Sequence, residues 1–510
     1  MPEESFEVIG RVYSEDGVYK PDPLTFTLLE GINISQGEIV CIKHPRLKGT
    51  YVFYQVVEVP LRRKAKDYEE DLVKTNKVFP DPERNYPRAL AEQIGYIDPS
   101  SKELRPLLEH IEPLTEVYRP PTELVKVLFK PDEKGIYLEV GKIYPHEDLP
   151  LYLDLKVLLR QGLLIIGGVG TGKTTTMISI LIRLLETCMK NALNPHILII
   201  DKDGEYGCKE LISLANMIAG YERVDINSIV LRKAYSDASA LHRELLKLTG
   251  LHPSSTAART LRMLLEETMR TMKRVELDVD FVEGLLTRLR QIHTRGDVLR
   301  ELIPKLKDLK EKLPSIVGEG ISSTEIISLL KEKTVVHIDC SNANSWSEVV
   351  QKLSGLLDAI YDEALRDKNF GCLLVIDEAH FYVPERGTFS PAGDAHKDME
   401  DVLVGKIATT GARNGVVVFA TTQRLSIVKK TFSTQIGQNL IAHKVEDVDL
   451  ERLKEIAGPT LAEVVRILPR GYALVKATAN PLKRPVIVRI EKLASPLSAM
   501  TTCLDRWKKE

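Results

Sequence analysis

Residues 163–175, LLIIGGVGTGKTT, run from four apolar residues through a glycine-rich turn to a lysine and two threonines. The apolar run reads as a buried strand, and the residues that follow, TTTMISILIRLLETCMK (174–190), carry apolar positions at helical spacing. Gly167, Gly172, Lys173 and Thr174 satisfy G-x-x-x-x-G-K-[ST], with Gly168, Val169, Gly170 and Thr171 filling the loop. Glycines suit such a turn because backbone N–H groups must point inward at phosphate oxygens in conformations that a Cβ obstructs, while the helix N-terminus adds its positive end. Lys173 is expected on the β- and γ-phosphates, the Thr174 hydroxyl on Mg²⁺, and Thr175 near the α-phosphate, so ATP and Mg²⁺ are the expected ligands.

A second apolar run, CLLVIDEAH (372–380), brings Asp377 and Glu378 to a strand end. Phosphoryl transfer to water needs one carboxylate in the magnesium shell and one that polarises the water; Asp377 takes the first role and Glu378 the second. A third run, GVVVFATTQR (415–424), ends in Gln423, which is placed to sense the γ-phosphate or its water. Arg413, just before this strand, is the first candidate for a cation offered to a neighbouring subunit's site, with Arg160 and Arg424 behind it. HILIIDKDGEYG (196–207) sets Asp201, Asp203 and Glu205 at another strand tip, where they either join the water and metal network or form a turn around Gly204.

Working outward, 510 residues exceed one hydrophobic core, so two or three domains are expected. With 43% apolar and 28% charged residues and a net charge of −2, the chain is neither disordered nor generally basic, and any nucleic-acid contact must be local. Six scattered cysteines without a C-x-x-C pair read as reduced thiols. The start lacks a signal-peptide pattern and no apolar run reaches membrane-spanning length, so a soluble cytoplasmic protein without a membrane partner is expected.

The fold class expected is multidomain: an N-terminal β-barrel and an α/β RecA-like P-loop core with a helical insertion. Short strands dominate residues 1–140, with a charged, proline-dotted connection at about 61–117 followed by strand material in VKVLFKP (125–131) and GIYLEVGKI (135–143). The core occupies 141–231 and 331–494, interrupted by the helical insertion at 232–330, and 495–510 is a polar tail. Basic stretches in the insertion read as solvated helix faces; Lys429 and Lys430 are better placed to face a channel, and His380 reads as structural.

The set LEVGKIYPHEDLPLYLDLKVLLRQGLLIIGGVGTGKTTT (138–176), LIIDKDGEYG (198–207), VIDEAHFYVP (375–384) and ATTQR (420–424) resembles the HerA family of the HerA/FtsK ATPase class. IGRVYS (9–14) looks like the first strand of that family's barrel, and LPRGYALVKA (468–477) with RPVIVRI (484–490) like its closing segment. The resemblance implies a hexameric ring, a homo-oligomer around double-stranded DNA that translocates by ATP hydrolysis, with a NurA-type nuclease partner in end resection and repair. Family members tend to carry a basic run around Arg413, where this chain has Ala412-Arg413-Asn414-Gly415. The rival expectations are a related ring ATPase with a conjugation, packaging or secretion cargo, and a regulatory nucleotide switch, against which Glu378 argues.

Overall fold

A computed structural model describes residues 6–13, 19–29, 31–61, 88–132, 134–230, 234–235, 237–272, 275–291, 296–317, 320–388, 392–393, 395–458 and 462–497. Its first strands are β1 (Glu7–Val12), β2 (Leu24–Leu28), β3 (Ile39–Lys43), β4 (Tyr51–Leu61), β5 (Arg88–Ile97), β6 (Leu104–Arg105) and β7 (Glu116–Arg119). They pair in the order β2-β1-β7-β3-β4-β5-β6, and β2 also pairs with β5, so six strands close into a barrel and β6 extends one edge. Alternate side chains point inward, and Ile9, Leu24, Phe26, Val40, Ile42, Val52, Tyr54 and Val56 fill the barrel's core.

Two details differ from the sequence reading. The stretch 61–117, expected as a connection, supplies β5, β6 and the start of β7; residues 62–87 within it lie outside the described residues. Ala89 and Ala91 fill inward positions of β5, and such small residues give a weak strand signal in sequence. VKVLFKP, expected as strand, lies mostly in a helix, Thr122–Phe129, which starts after Pro121 and buries Val125, Leu128 and Phe129 at helical spacing.

The remaining strands are β8 (Tyr137–Ile143), β9 (Pro150–Asp154), β10 (Leu163–Ile166), β11 (Ile197–Asp201), β12 (Tyr221–Asp225), β13 (Ala234–Tyr235) and β14 (Val275–Glu276). They are followed by β15 (Val335–Asp339), β16 (Cys372–Ile376), β17 (Val416–Thr422), β18 (Asn439–Ala442), β19 (Tyr472–Ala477) and β20 (Val486–Ile490). Eleven of them make one sheet in the order β12-β15-β11-β16-β17-β10-β18-β19-β20-β8-β9. The seven from β12 to β18 are parallel, and the antiparallel ribbon β18-β19-β20-β8-β9 leads back toward the barrel. Gln55 Nε2 donates to the Pro485 carbonyl at 2.9 Å and Arg484 pairs with Glu92 at 2.9 Å, joining barrel and ribbon.

The parallel strands are uninterrupted apolar runs because helices cover both faces. Leu163, Ile165, Leu373, Val375 and Phe419 pack with Met177, Ile178, Leu181 and Leu185 of the helix Lys173–Lys190. On the opposite face Leu164, Ile166, Leu374, Ile376 and Val418 pack with Leu353, Leu356, Leu357 and Ile360 of the helix Trp346–Arg366. Between β12 and β15 the helices Ala238–Thr249, Thr256–Thr271, Val279–Gln291 and Gly296–Val317 build a core of their own, joined by the small β13–β14 pair. Among the described residues no helix is long and apolar enough to cross a membrane.

Phe419, fully buried in β17, should cost about 3–5 kcal/mol of stability when replaced by alanine. Urea unfolding followed by circular dichroism measures the loss, and a change below about 1 kcal/mol would contradict the packing described, given the usual cost of such a cavity.

Candidate functional site

The site is built from the C-terminal ends of four neighbouring parallel strands. β17 lies between β10 and β16, with Ile166 level with Thr422 and Ile376 level with Ala420, and β18 flanks β10 on its other side. The loop Gly167–Gly172 is tied down on both sides: Gly167 N donates to the Thr422 carbonyl at 3.3 Å and Gly168 N to the Lys444 carbonyl at 2.8 Å. Gly167, Gly170 and Gly172 have φ of 158°, 72° and 116°, a region that side-chain-bearing residues avoid. A Cβ on Gly167 would lie 2.6 Å from Thr171 Oγ1 and 2.7 Å from His443 Cβ.

His443 forms the floor of this loop. Its ring is buried, with Nδ1 3.0 Å from the Tyr472 carbonyl and Nε2 2.8 Å from Thr176 Oγ1. Burial lowers its pKa to about 4, so the ring is neutral near pH 7. A carbonyl only accepts, so Nδ1 carries the proton and Nε2 accepts from Thr176, which locks the first turn of the helix to β18 and β19.

Lys173 is 6% exposed; its Nζ donates to the Gly168 carbonyl at 3.3 Å and stands 3.6 Å from Glu378 Oε1. Glu378 has a left-handed backbone (φ 53°, ψ 58°), which turns its side chain toward the loop. Its Oε2 accepts from Gln423 N at 2.8 Å and lies 3.2 Å from His380 Nδ1. Burial raises the Glu378 pKa, but His380, Lys173 and the Gln423 N–H outweigh it, leaving the carboxylate below its ordinary range and ionised.

Asp377 has the opposite environment. Burial, reinforced by the negative charges of Glu378 and Asp201, pushes its pKa well up. Thr421 Oγ1 donates to Asp377 Oδ1 at 2.7 Å and Tyr206 OH to the same atom at 3.2 Å, while Glu378 N donates to Thr421 Oγ1 at 3.0 Å. Two adjacent acids are thus driven apart in proton affinity.

The strand-tip acids near β11 form a turn. Asp201 is fully buried and accepts from Gly204 N and Tyr206 N, each at 2.8 Å, and lies 2.9 Å from His337 Nε2 on β15. Asp203 is exposed and pairs with Lys202 at 2.7 Å; the Glu205 carbonyl accepts from Leu497 N at 2.9 Å. Through Tyr206 this turn reaches Asp377, a link that the sequence reading did not contain.

Thr174 and Thr175 are half-buried on the first turn of the helix, beside Lys173. Gln423 meets Glu378 through its backbone N–H. Arg424, exposed, donates its backbone N–H to Thr422 Oγ1. Arg413 lies in the turn Gly411–Asn414 ahead of β17, so the strand's seven residues, about 20 Å of extended chain, separate it from this chain's own Gly167–Gly172 loop. Arg160, on the helix Leu155–Gln161 ahead of β10, shares that far edge, the two elements pack together, and both arginines are exposed. Lys429 and Lys430 are ion-paired, to Glu400 and to Glu455. Cys41, Cys188, Cys208, Cys340 and Cys372 are buried free thiols, and Cys503 lies outside the described residues.

Residues 138–357 match the family described as helicase HerA, central domain. Among solved structures the chain is similar to the bacterial conjugative coupling protein TrwBdeltaN70, with 15% identity over 74% of this chain and 93% of that one and a TM-score of 0.40. It is similar to VirB4 of Thermoanaerobacter pseudethanolicus, with 15% identity over 71% and 97% and a TM-score of 0.38. It is also similar to the genome packaging NTPase B204 from Sulfolobus turreted icosahedral virus 2 in complex with ATP-gammaS, with 13% identity over 65% and 98% and a TM-score of 0.32. No curated protein matches the chain.

Gly167→Ala should leave the barrel and sheet folded and weaken nucleotide binding at least about tenfold, since the added Cβ collides with Thr171 and His443. Titration with a fluorescent ATP analogue measures this; undiminished affinity would contradict the loop geometry.

Proposed function

We propose that this chain, whose residues 138–357 match the HerA central domain, is a P-loop ATPase of HerA type and the subunit of a hexameric ring that translocates double-stranded DNA by hydrolysing ATP. The observation that carries the ATPase half of the reading is the convergence of Lys173, Glu378 and the Gln423 N–H at one sheet edge, across the tip of β17. The DNA half rests on the family description, helicase HerA.

The residues fit ATP and Mg²⁺. The glycine conformations leave an open cradle in front of a helix N-terminus, and Lys173 is sequestered there with only a carbonyl and an acid for partners among the recorded contacts. Both hydrogen bonds to Asp377 among the described residues go to Oδ1, so Oδ2 would be available toward the ion's shell. Thr174 and Asp377 would hold the ion, which supplies charge neutralisation on the β- and γ-phosphates. Among the described residues no group of three or more His, Cys, Asp or Glu forms a metal cage, as suits an ion held largely by phosphates and water.

ATP draws Lys173 onto its β- and γ-phosphates and away from Glu378. Glu378, ionised and anchored through Oε2, then polarises the water in line with the γ-phosphate. Gln423 reports on that water from the end of β17. Arg413, with Arg160 beside it on the far edge, is the cation offered to the neighbouring subunit. Arg424, exposed at the near edge, is a further candidate for that cation, and Glu205 at the β11 turn a candidate for the water and metal network. In this reading the barrel is the docking platform for a NurA-type nuclease, and the ring acts in DNA end resection in the cytoplasm.

Steady-state ATP hydrolysis with and without linear duplex DNA tests the proposal. Turnover should rise several-fold with DNA, fade with added salt as phosphate contacts are screened, disappear in Lys173→Ala, and fall to a small residual rate in Glu378→Gln. Turnover that duplex DNA leaves unchanged at every salt concentration would remove DNA as the cargo.

A further inference from the structure

We propose that His380 is a positioning residue for hydrolysis: together with the Gln423 N–H it fixes Oε2 of Glu378, so that Oε1 alone turns to the attacking water. The inference deepens the ATPase reading and rests on Glu378 as the water-polarising acid.

His380 Nδ1 lies 3.2 Å from Glu378 Oε2 and 3.1 Å from Thr422 Oγ1, so one ring nitrogen bridges the acid and the last residue of β17. The ring is held from its other side by Phe381, centroids 4.4 Å apart, and its side chain is only 12% exposed. Oε2 therefore accepts the Gln423 N–H and has the His380 ring nitrogen within ion-pair distance. Among the described residues Oε1 has Lys173 as its partner, at 3.6 Å. When phosphates take Lys173, Oε1 is released while Oε2 stays bound. The water oxygen then bonds to the γ-phosphorus as the bond to the β–γ bridging oxygen breaks, and the water's proton goes to Oε1. Without His380, a carboxylate on a left-handed backbone keeps one anchor and swings about it.

The test compares His380→Ala and His380→Asn in the full-length protein by steady-state ATP hydrolysis, in the wild-type and Glu378→Gln backgrounds, with thermal unfolding as a check on folding. Asparagine places an N–H near the position of Nδ1. His380→Ala should lower kcat about 10–100-fold with KM for ATP within about threefold, the cost of misplacing a reacting group. His380→Asn should recover most of the loss, and His380→Ala should add nothing to Glu378→Gln, because the two act through one step. Wild-type kcat in His380→Ala beside a strongly impaired Glu378→Gln would overturn the positioning role alone. Equal losses in both histidine variants that multiply with the Glu378→Gln loss would also overturn it, as the mark of a merely structural residue. Normal turnover in Glu378→Gln would remove the reading beneath it.

Discussion

Lys173 and Glu378 face each other at 3.6 Å across the tip of β17, with side chains only 6% and 5% exposed. Two charges taken so far out of water stay ionised only if each is paired and hydrogen-bonded, and removing either strands the other. The structure meets that demand with the Gly168 carbonyl for the lysine and with the Gln423 N–H and His380 for the acid. The other devices of the site serve to keep this gap. β17 is interposed between the loop strand and the acid strand, the loop is tied to Thr422 and Lys444, and Tyr206 and Thr421 hold Asp377.

The same strand order connects the Gly167–Gly172 loop to the barrel. β18 carries His443 beneath the loop and pairs with β19, which supplies the Tyr472 carbonyl that fixes the histidine's tautomer. β20 and β8 continue the ribbon, and the Gln55–Pro485 and Arg484–Glu92 contacts bind its turn to the barrel. On the opposite edge Arg160 and Arg413 lie on elements packed against each other, a strand's length from the phosphate loop of their own chain. A subunit with its phosphate loop on one edge and these cations on the other suits the ring proposed above, in which each site is completed by the next chain.

Much of this was legible because the chemistry is local. The phosphate loop, the acid pair and the Gln423 strand are each written in about ten consecutive residues, and buried parallel strands announce themselves as unbroken apolar runs. The barrel was legible as alternating short strands, except for β7, which is only four residues long, and β5, whose inward Ala89 and Ala91 carry little strand preference. VKVLFKP (125–131), most of which lies in the helix Thr122–Phe129, reads as a strand because its β-branched valines outweigh a periodicity only two turns long. Contacts between residues far apart in sequence left no local mark: His443 on Thr176, Tyr206 on Asp377 and His337 on Asp201 depend on strand order alone. His380 read as structural because sequence adjacency to Glu378 does not say whether the ring turns back onto the acid, and its nitrogen does.

The central claim is that this machinery turns ATP hydrolysis into movement along duplex DNA. A strand-displacement assay tests it most directly: a third strand bound as a triplex at one end of a linear duplex is monitored by fluorescence after ATP is added to the assembled protein. The account predicts ATP-dependent release by the wild-type chain and none by Glu378→Gln. Steady ATP hydrolysis with the triplex left intact would contradict it.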